Sequence, residues 1–492
     1  MNLHGMSQQF YHSAIIGLLI SISLLGCTVG PDFHSSIAPN TKTYIQAQHN
    51  KTVDAQGQTQ YFDAAQAIPA QWWVLFHSPA INQLIQQGLA NSPNLAAAQA
   101  ALGQAQENFN AEVGRALFPT INAGFSANRQ RTFTGIASSS LPPTGLYNLY
   151  NASVNVAYSL DLFGKARREL ESLRAQVDYQ RFQVKAAHLT LAANIVTAAI
   201  SEASLREQIQ ITHWLIHLQE KSLQVINKQF QLGGESQATL WAQQTQLAQV
   251  RATLPGLEKN LAQLRDGLAV LVGVAPTNAQ LPPIYFSDLR LPLHLPLSCP
   301  SQLVRQRPDV AASEALLHSA CAQIGVATAN LFPQFNLTGN YGSISTMSNA
   351  LLKANSNVWG LGTQALQPIF NAGALRAKRR GAVAVYDQAA AEYRQTVLQA
   401  FQNVADVLHA LHFDTQTLEA ERQAETAAKA TWQITKQQYK LGAIDYLLLL
   451  HAERQYQQAH IIRIQAQAAR YADTAALFQA LGGGWWNLNK IK

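Results

Sequence analysis

Between Lys165 and Leu232 the chain carries no proline, and its apolar residues keep a near-heptad rhythm. They fall at Leu170, Leu173, Val177, Val184, Leu191, Ile195, Ala198, Leu205, Ile209, Ile216, Leu223, Ile226 and Phe230, so every gap is 3, 4 or 7. That spacing keeps one stripe on one face of a long helix. At about 1.5 Å per residue the predicted helix is roughly 100 Å long. A second run follows from Leu240 through Leu247, Val250, Leu254, Leu257, Leu261, Leu264 and Leu268 to Leu271, again with gaps of 3, 4 or 7. It predicts a returning helix that Pro255-Gly256 kinks or breaks. Between the two lies Leu232-Gly233-Gly234-Glu235-Ser236, a turn in which glycine takes a left-handed conformation.

Upstream the period changes from helix to strand. One helix is expected over 78–116, stopped by Pro119. Then Ile121, Ala123, Phe125 and Ala127 alternate with Thr120, Asn122, Ser126 and Asn128. A second strand alternates Ala152, Val154, Val156, Tyr158 and Leu160 with Asn151, Ser153, Asn155 and Ser159. Residues 132–148, with their Gly, Ser and Pro, read as the loop between them. The strands are about 11 residues long, enough for a tilted strand to cross a bilayer. Their polar face is small and uncharged, which suits a water-filled lumen.

The same plan recurs downstream. Pro93 matches Pro308 at an offset of 215, Leu117-Phe118-Pro119 matches Leu331-Phe332-Pro333 at 214, and Leu162-Phe163-Gly164 matches Ile369-Phe370-Asn371 at 207. Gln229 to Gly233 matches Gln438 to Gly442, and Gly273 matches Gly482, both at 209. Landmarks in one order with small drifts define a tandem repeat. The fold class is therefore mainly α with β, two repeats each of helix-strand-strand-helix-helix. The expected boundaries are a first repeat over 78–273, a proline-containing linker over 274–300, a second repeat over 301–482 and a tail over 483–492. In the second repeat, Phe335, Leu337 and Tyr341 alternate with Asn336, Thr338 and Asn340, and a glycine-rich strand near 356–368 places Trp359 and Leu361 outward.

Four strands have a consequence. A sheet in lipid must close, because an open edge leaves backbone groups unsatisfied. Four strands cannot close; eight from two chains would fill their interior with side chains, and twelve from three leave a channel. The chain must oligomerise.

Composition agrees with close helix packing: of 492 residues only 13% are charged, about half the usual share. The net charge of +7 is scattered, with no basic run interleaved with aromatics, so nucleic acid is not an expected partner. No HExxH pattern, GxxxxGK[ST] loop or other catalytic constellation is present, and no metal site is expected. Cys299 and Cys321 form no CxxC pair; two buried free thiols are commoner than a bond between them, which an oxidising compartment would allow.

The N-terminus reads as an address. Residues 14–25 (AIIGLLISISLL) are too short to span a bilayer and fit the apolar core of a signal peptide. Leu24-Leu25-Gly26-Cys27 resembles a lipobox, making 1–26 a lipoprotein signal peptide and 27–77 an N-terminal segment lipidated on Cys27. The first 13 residues contain no Lys or Arg, which departs from the usual signal pattern. Thr28, rather than Asp, fits sorting to the outer membrane. No later apolar stretch approaches 20 residues, so any further crossing is assigned to strands.

Taken together the chain resembles the outer membrane efflux protein family, the TolC-like channels, and within it the lipid-anchored OprM/NodT branch. Cys27-Thr28-Val29-Gly30-Pro31-Asp32-Phe33, Trp72-Trp73-Val74-Leu75-Phe76, Asp161-Leu162-Phe163-Gly164, Arg307-Pro308-Asp309-Val310 and Leu366-Gln367-Pro368-Ile369-Phe370 carry the resemblance. It implies a homotrimer in which a 12-stranded β-barrel in the outer membrane continues into a long periplasmic α-helical barrel. It implies a passive export duct served by a periplasmic membrane-fusion adaptor and an inner-membrane pump, most commonly of the resistance-nodulation-division type. It also implies N-palmitoyl and S-diacylglycerol groups on Cys27. The helix-to-helix tips, Leu232, Gly233 and Gly234 in the first repeat and Leu441, Gly442 and Asp445 in the second, correspond to the adaptor contacts. Leu447 and His451 match a periplasmic gate where relatives place a leucine and an acidic residue; a histidine ring there is near neutral at pH 7 and charges in acid. The alternatives are the outer-membrane duct of a type I protein secretion system and a passive porin.

Overall fold

A computed structural model describes residues 28–35, 43–45, 51–53, 59–63, 67–131, 145–297 and 300–490. The signal segment, Cys27 and Cys299 lie outside the described residues. The chain forms two compact units.

The first unit comprises Met1–Ser36, Leu102–Gln180 and Ser313–Tyr393. It holds four antiparallel strands, β3 (Thr120–Arg131), β4 (Leu146–Leu160), β6 (Gln334–Ser345) and β7 (Asn357–Leu366), in the order β3-β4-β6-β7. β4 starts earlier than the composition of 132–148 suggested, because Leu146 to Asn148 pair with Arg131 to Arg129. The register sorts the faces. Ile121, Val156, Gly339 and Leu361 stand opposite one another across the sheet, and so do Asn122, Asn155, Asn340 and Gly360 one residue along. A one-residue step turns every side chain to the other face, so one face is apolar and the other carries a row of asparagines. The apolar face is bare: Phe125, Trp359 and Leu361 are 68%, 73% and 83% exposed. Among the described residues, no strand pairs with the outer edges of β3 and β7.

The helices repeat closely. α3 (Lys165–Gln231) and α7 (Ala374–Lys440) both have 67 residues; α4 (Gln237–Leu271) and α8 (Tyr446–Ala480) both have 35. Two expectations are corrected. The helix drawn over 78–116 is two, α1 (Pro79–Asn91) and α2 (Pro93–Leu117), and the second repeat shows the same break between α5 (Pro300–Gln306) and α6 (Pro308–Ala329). A proline disfavours helical geometry in the residue before it, here Ser92 and Arg307. Conversely, Pro255 does not break α4, which runs through it. Pro255 is exposed, so water reaches the carbonyl whose partner N–H is missing. Two helices, α3 and α6, do hold windows long and apolar enough by composition to cross a bilayer. Both windows are partly buried within the protein, and the alanines of α6 pack as a core (Ala311, Ala312, Ala315, Ala320 and Ala322).

The second unit comprises Ile37–Ala101, Arg181–Ala312 and Arg394–Lys492. Its core gathers Trp72, Phe76, Ile81, Leu84, Ile195, Leu268 and Phe478, all fully buried. Trp72 stacks on Phe478 with centroids 5.4 Å apart and also meets Phe76 and Trp73 edge-on. The proline-containing stretch after α4 is more than a connector. Its strand β5 (His294–Pro296) pairs in parallel with β2 (Thr59–Asp63), which pairs with β1 (Lys51–Val53). Period-counting misses β5 because three residues carry no alternation.

Candidate functional site

The two tips are built by the same local chemistry. Gly233 and Gly442 have φ of 75° and 72°, the left-handed region that glycine enters without steric cost. In each, the glycine N–H donates back across three residues, Gly233 to Phe230 and Gly442 to Tyr439, both at 3.0 Å. The next residue reaches five back, Gly234 to Gln229 at 2.8 Å and Ala443 to Gln438 at 2.9 Å. These bonds close the ends of α3 and α7. The returning helices start on caps: Ser236 Oγ accepts from the Thr239 N–H at 3.1 Å and Asp445 Oδ1 from the Leu448 N–H at 3.0 Å. Asp445 is thus engaged in capping α8. The turns themselves are bare. Leu232 and Leu441 are 87% and 84% exposed, and nothing lies within 4 Å of a Cβ built on either tip glycine.

Behind the tips the helices are locked. Ile226, Trp432, Tyr446, Leu449, Leu450 and Tyr456 form a buried cluster. Trp432 stacks on Tyr456 at 5.4 Å, and Trp214 meets both rings edge-on. Buried amides tie α3 to α4: Gln243 Nε2 donates to Gln219 Oε1 at 2.7 Å and to its backbone carbonyl at 2.9 Å, while the Tyr446 hydroxyl donates to Gln243 Oε1. Lower down, Arg463 of α8 bridges Glu207 of α3 at 2.7 Å and Glu425 of α7 at 2.8 Å. Leu447 and His451, one helical turn apart on α8, both face out, Leu447 at 49% exposure.

Close to them sits a residue that sequence reasoning passed over. Glu453 is 3% exposed. Burial pushes its carboxyl up to about 7, against weaker opposing effects of Lys436 and Gln219. Of the groups facing it, α7 supplies the cation Lys436 and α3 the neutral Gln219; on its own helix lies the Tyr446 hydroxyl, itself raised by burial and then by Glu453. A raised carboxyl binds its proton more tightly folded than unfolded. Its protonated form therefore stabilises the protein fully below the unfolded value of 4.5, and this is lost as pH rises through about 7. The loss amounts to roughly 3 kcal/mol per subunit. Thermal unfolding from pH 5 to 8 is expected to show stability falling with pH, and Glu453→Gln to flatten part of that slope. A slope unchanged in Glu453→Gln would mean that the carboxyl does not titrate there. Asp473, raised to about 7 by burial and by Asp414 beside it, adds to the same slope.

At the other end of the long helices, the segment following Cys27 is seated in the first unit. The Val29 N–H donates to the Phe163 carbonyl at 3.2 Å, and Thr28 lies where a Cβ on Gly164 would stand, 2.9 Å from the Thr28 Cα. Arg168 is buried between Asp32 at 2.5 Å and Glu171 at 2.7 Å. The hydrogen bond and charge of Arg168 hold the Asp32 carboxyl below its usual value. Glu171 also meets His318 at 2.9 Å, and Phe33 stacks on that imidazole at 4.3 Å. Cys321 is a buried free thiol, its Sγ 3.8 Å from the Pro31 carbonyl, and burial pushes the thiol up. Among the described residues no group of three His, Cys, Asp or Glu is placed to hold a metal.

The subunit combines a bare-faced four-stranded sheet, two 67-residue helices and exposed glycine turns. The model of the outer membrane efflux protein family matches residues 84–274 and 299–483. The chain is 30% identical over 477 residues to the pyoverdine export outer membrane protein OpmQ of Pseudomonas putida, covering 95% of this chain and 97% of that one. It is 28% identical to the probable outer membrane lipoprotein SilC of Salmonella typhimurium, covering 95% and 98%. The solved outer-membrane channel OprN is 28% identical and superimposes with a TM-score of 0.83 over 93% of this chain and all of its own. The chain belongs to the outer membrane efflux protein family. It is an outer-membrane efflux channel subunit, a transport protein of a fold and family that are not enzymes.

Proposed function

We propose that three copies of the chain join edge to edge, β3 of one to β7 of the next, into a twelve-stranded barrel that continues into a periplasmic helical duct. The observation that carries this is the open four-stranded sheet with its bare apolar face and its asparagine row. Closure satisfies the edges, turns Phe125, Trp359 and Leu361 to lipid, and leaves Asn122, Asn155 and Asn340 to water. The duct is passive. Small molecules, drugs or toxic compounds among them, are delivered by an inner-membrane pump of the resistance-nodulation-division type through a periplasmic membrane-fusion adaptor that engages the tips. Leu447 and His451 form the constriction, and Cys27 carries N-palmitoyl and S-diacylglycerol groups that hold the N-terminus in the outer membrane.

Single-channel recording of the full chain in planar bilayers tests this. The wild type is expected to conduct, and His451→Ala, which removes the imidazole rings from the constriction, to conduct more. Absence of any conductance contradicts the duct. A conductance unchanged in His451→Ala removes His451 from the constriction and leaves the duct standing.

A further inference from the structure

We propose that a groove on the apolar face of the β3-β4-β6-β7 sheet is a docking slot for an acyl chain of the lipid on Cys27. This rests on the lipidation reading above and goes beyond it, because lipidation by itself requires only that the chains enter the bilayer somewhere.

The groove encloses about 460 Å³ and is almost wholly apolar. Val154, Val156 and Tyr158 of β4, Leu337 and Tyr341 of β6, and Leu361 of β7 line it. The register explains why a hollow exists there. Val154 stands opposite Tyr341 and Tyr158 opposite Leu337, but Val156 and Leu361 both stand opposite Gly339. With no side chain at 339, the middle of the face is sunk between two aromatic rims. A Cβ on Gly339 would already come to 3.3 Å from Leu361 Cδ2. The slot crosses the β4–β6 pairing, which is the seam between the two repeats.

Its length and depth fit one chain of a lipid. From Val154 to Tyr158 is about 13 Å along a strand, and an acyl chain spans one leaflet, about half of the roughly 30 Å hydrocarbon core. Tyr158 is two residues from the end of β4 at Leu160, the end that leads into α3. The slot therefore lies in the leaflet next to the periplasmic helices.

The N-terminal segment delivers its lipid to that level. Thr28 is held on Gly164 and Val29 on Phe163, and Gly30 lies so close to Gly325 that a Cβ on Gly30 would stand 2.5 Å from the Gly325 Cα. Asp32 on Arg168 completes the seat. Gly164 is four residues past the end of β4, at most about 14 Å of chain, and Cys27 is one Cα–Cα step of about 3.8 Å before Thr28. Thr28, the residue bonded to the attachment point, thus lies within an acyl chain's reach of the slot. The seat of residues 28–32 keeps that chain beside the slot at all times, whereas each phospholipid of the leaflet exchanges, so the protein's own lipid is the occupant the geometry names.

The test uses the full chain, expressed in a Gram-negative host fed a diazirine-bearing fatty acid. Outer membranes are irradiated and the digested protein is mapped by mass spectrometry. In the wild type, crosslinks are expected from the lipid-bearing Cys27 peptide to 146–160 and 334–345, and Gly339→Phe is expected to lose them. The wild-type map decides alone if Gly339→Phe fails to insert. Crosslinks scattered over the outward face, as at Ile121 and Phe125 of β3, overturn the slot. So do phospholipid adducts in the groove together with a Cys27 lipid crosslinked elsewhere. A Cys27 peptide that carries no fatty acid at all overturns the lipidation reading, a separate failure.

Discussion

Gly442→Asp is expected to abolish export of a fluorescent dye by cells that depend on this channel, while the protein stays at normal level and in the outer membrane. The local cost is small. A side chain at φ 72° costs about 1 kcal/mol, less for Asp than for most residues. Nothing lies within 4 Å of the new Cβ, so no packing is disturbed. The change instead places a carboxylate on a turn whose neighbour Leu441 is 84% exposed. A turn whose exposed leucine docks into a partner tolerates a new buried, unpaired charge poorly. Gly442→Asn keeps the shape and the φ cost without the charge, and separates the two contributions. Unchanged dye export in Gly442→Asp at normal protein level would remove this tip from the adaptor interface.

Trp72→Ala is expected to cost about 3–5 kcal/mol, the range for an aromatic ring deleted from a packed core. Trp72 is fully buried and touches three aromatic rings, among them Phe478 near the end of α8. Its loss removes one of the contacts that tie the N-terminal segment to the last long helix of the second unit, beside those of Phe76 with Tyr471 and Gln60 with Arg470. Thermal unfolding followed by circular dichroism, or the yield of folded protein, reads the effect. Trp241→Ala is the contrast. Trp241 is 59% exposed, and a surface change of this kind stays within about 0.5 kcal/mol. Equal losses in the two variants would mean that Trp72 is not a core residue.

The long helices, the four main strands and the tips were legible in the sequence because they obey local rules. A heptad stripe, a two-residue alternation, a proline stop and a left-handed glycine each act within a few residues. The landmarks occur twice in one order, and the 209-residue offset of the tips reappears in helices of equal length. Where the same rules were read too simply they misled. Pro93 and Pro308 break helices and Pro255 does not: the helix ends at the residue before each of the first two, Ser92 being extended, while the 35-residue helix α4 runs through Pro255.

What only the tertiary structure decided are the features that depend on residues far apart in sequence. Nothing near Glu453 marks it as buried; α3 and α7 close over it and raise its carboxyl. The seat of the N-terminal segment joins Asp32 to Arg168 across 136 residues. The hollow at Gly339 exists because strands of both repeats pair in one register. Local sequence fixes backbone conformation through sterics and period, so it determined the elements. Solvent exclusion depends on which elements meet, so the fold alone decided which charge is buried, which segment is clamped and where the apolar face is open.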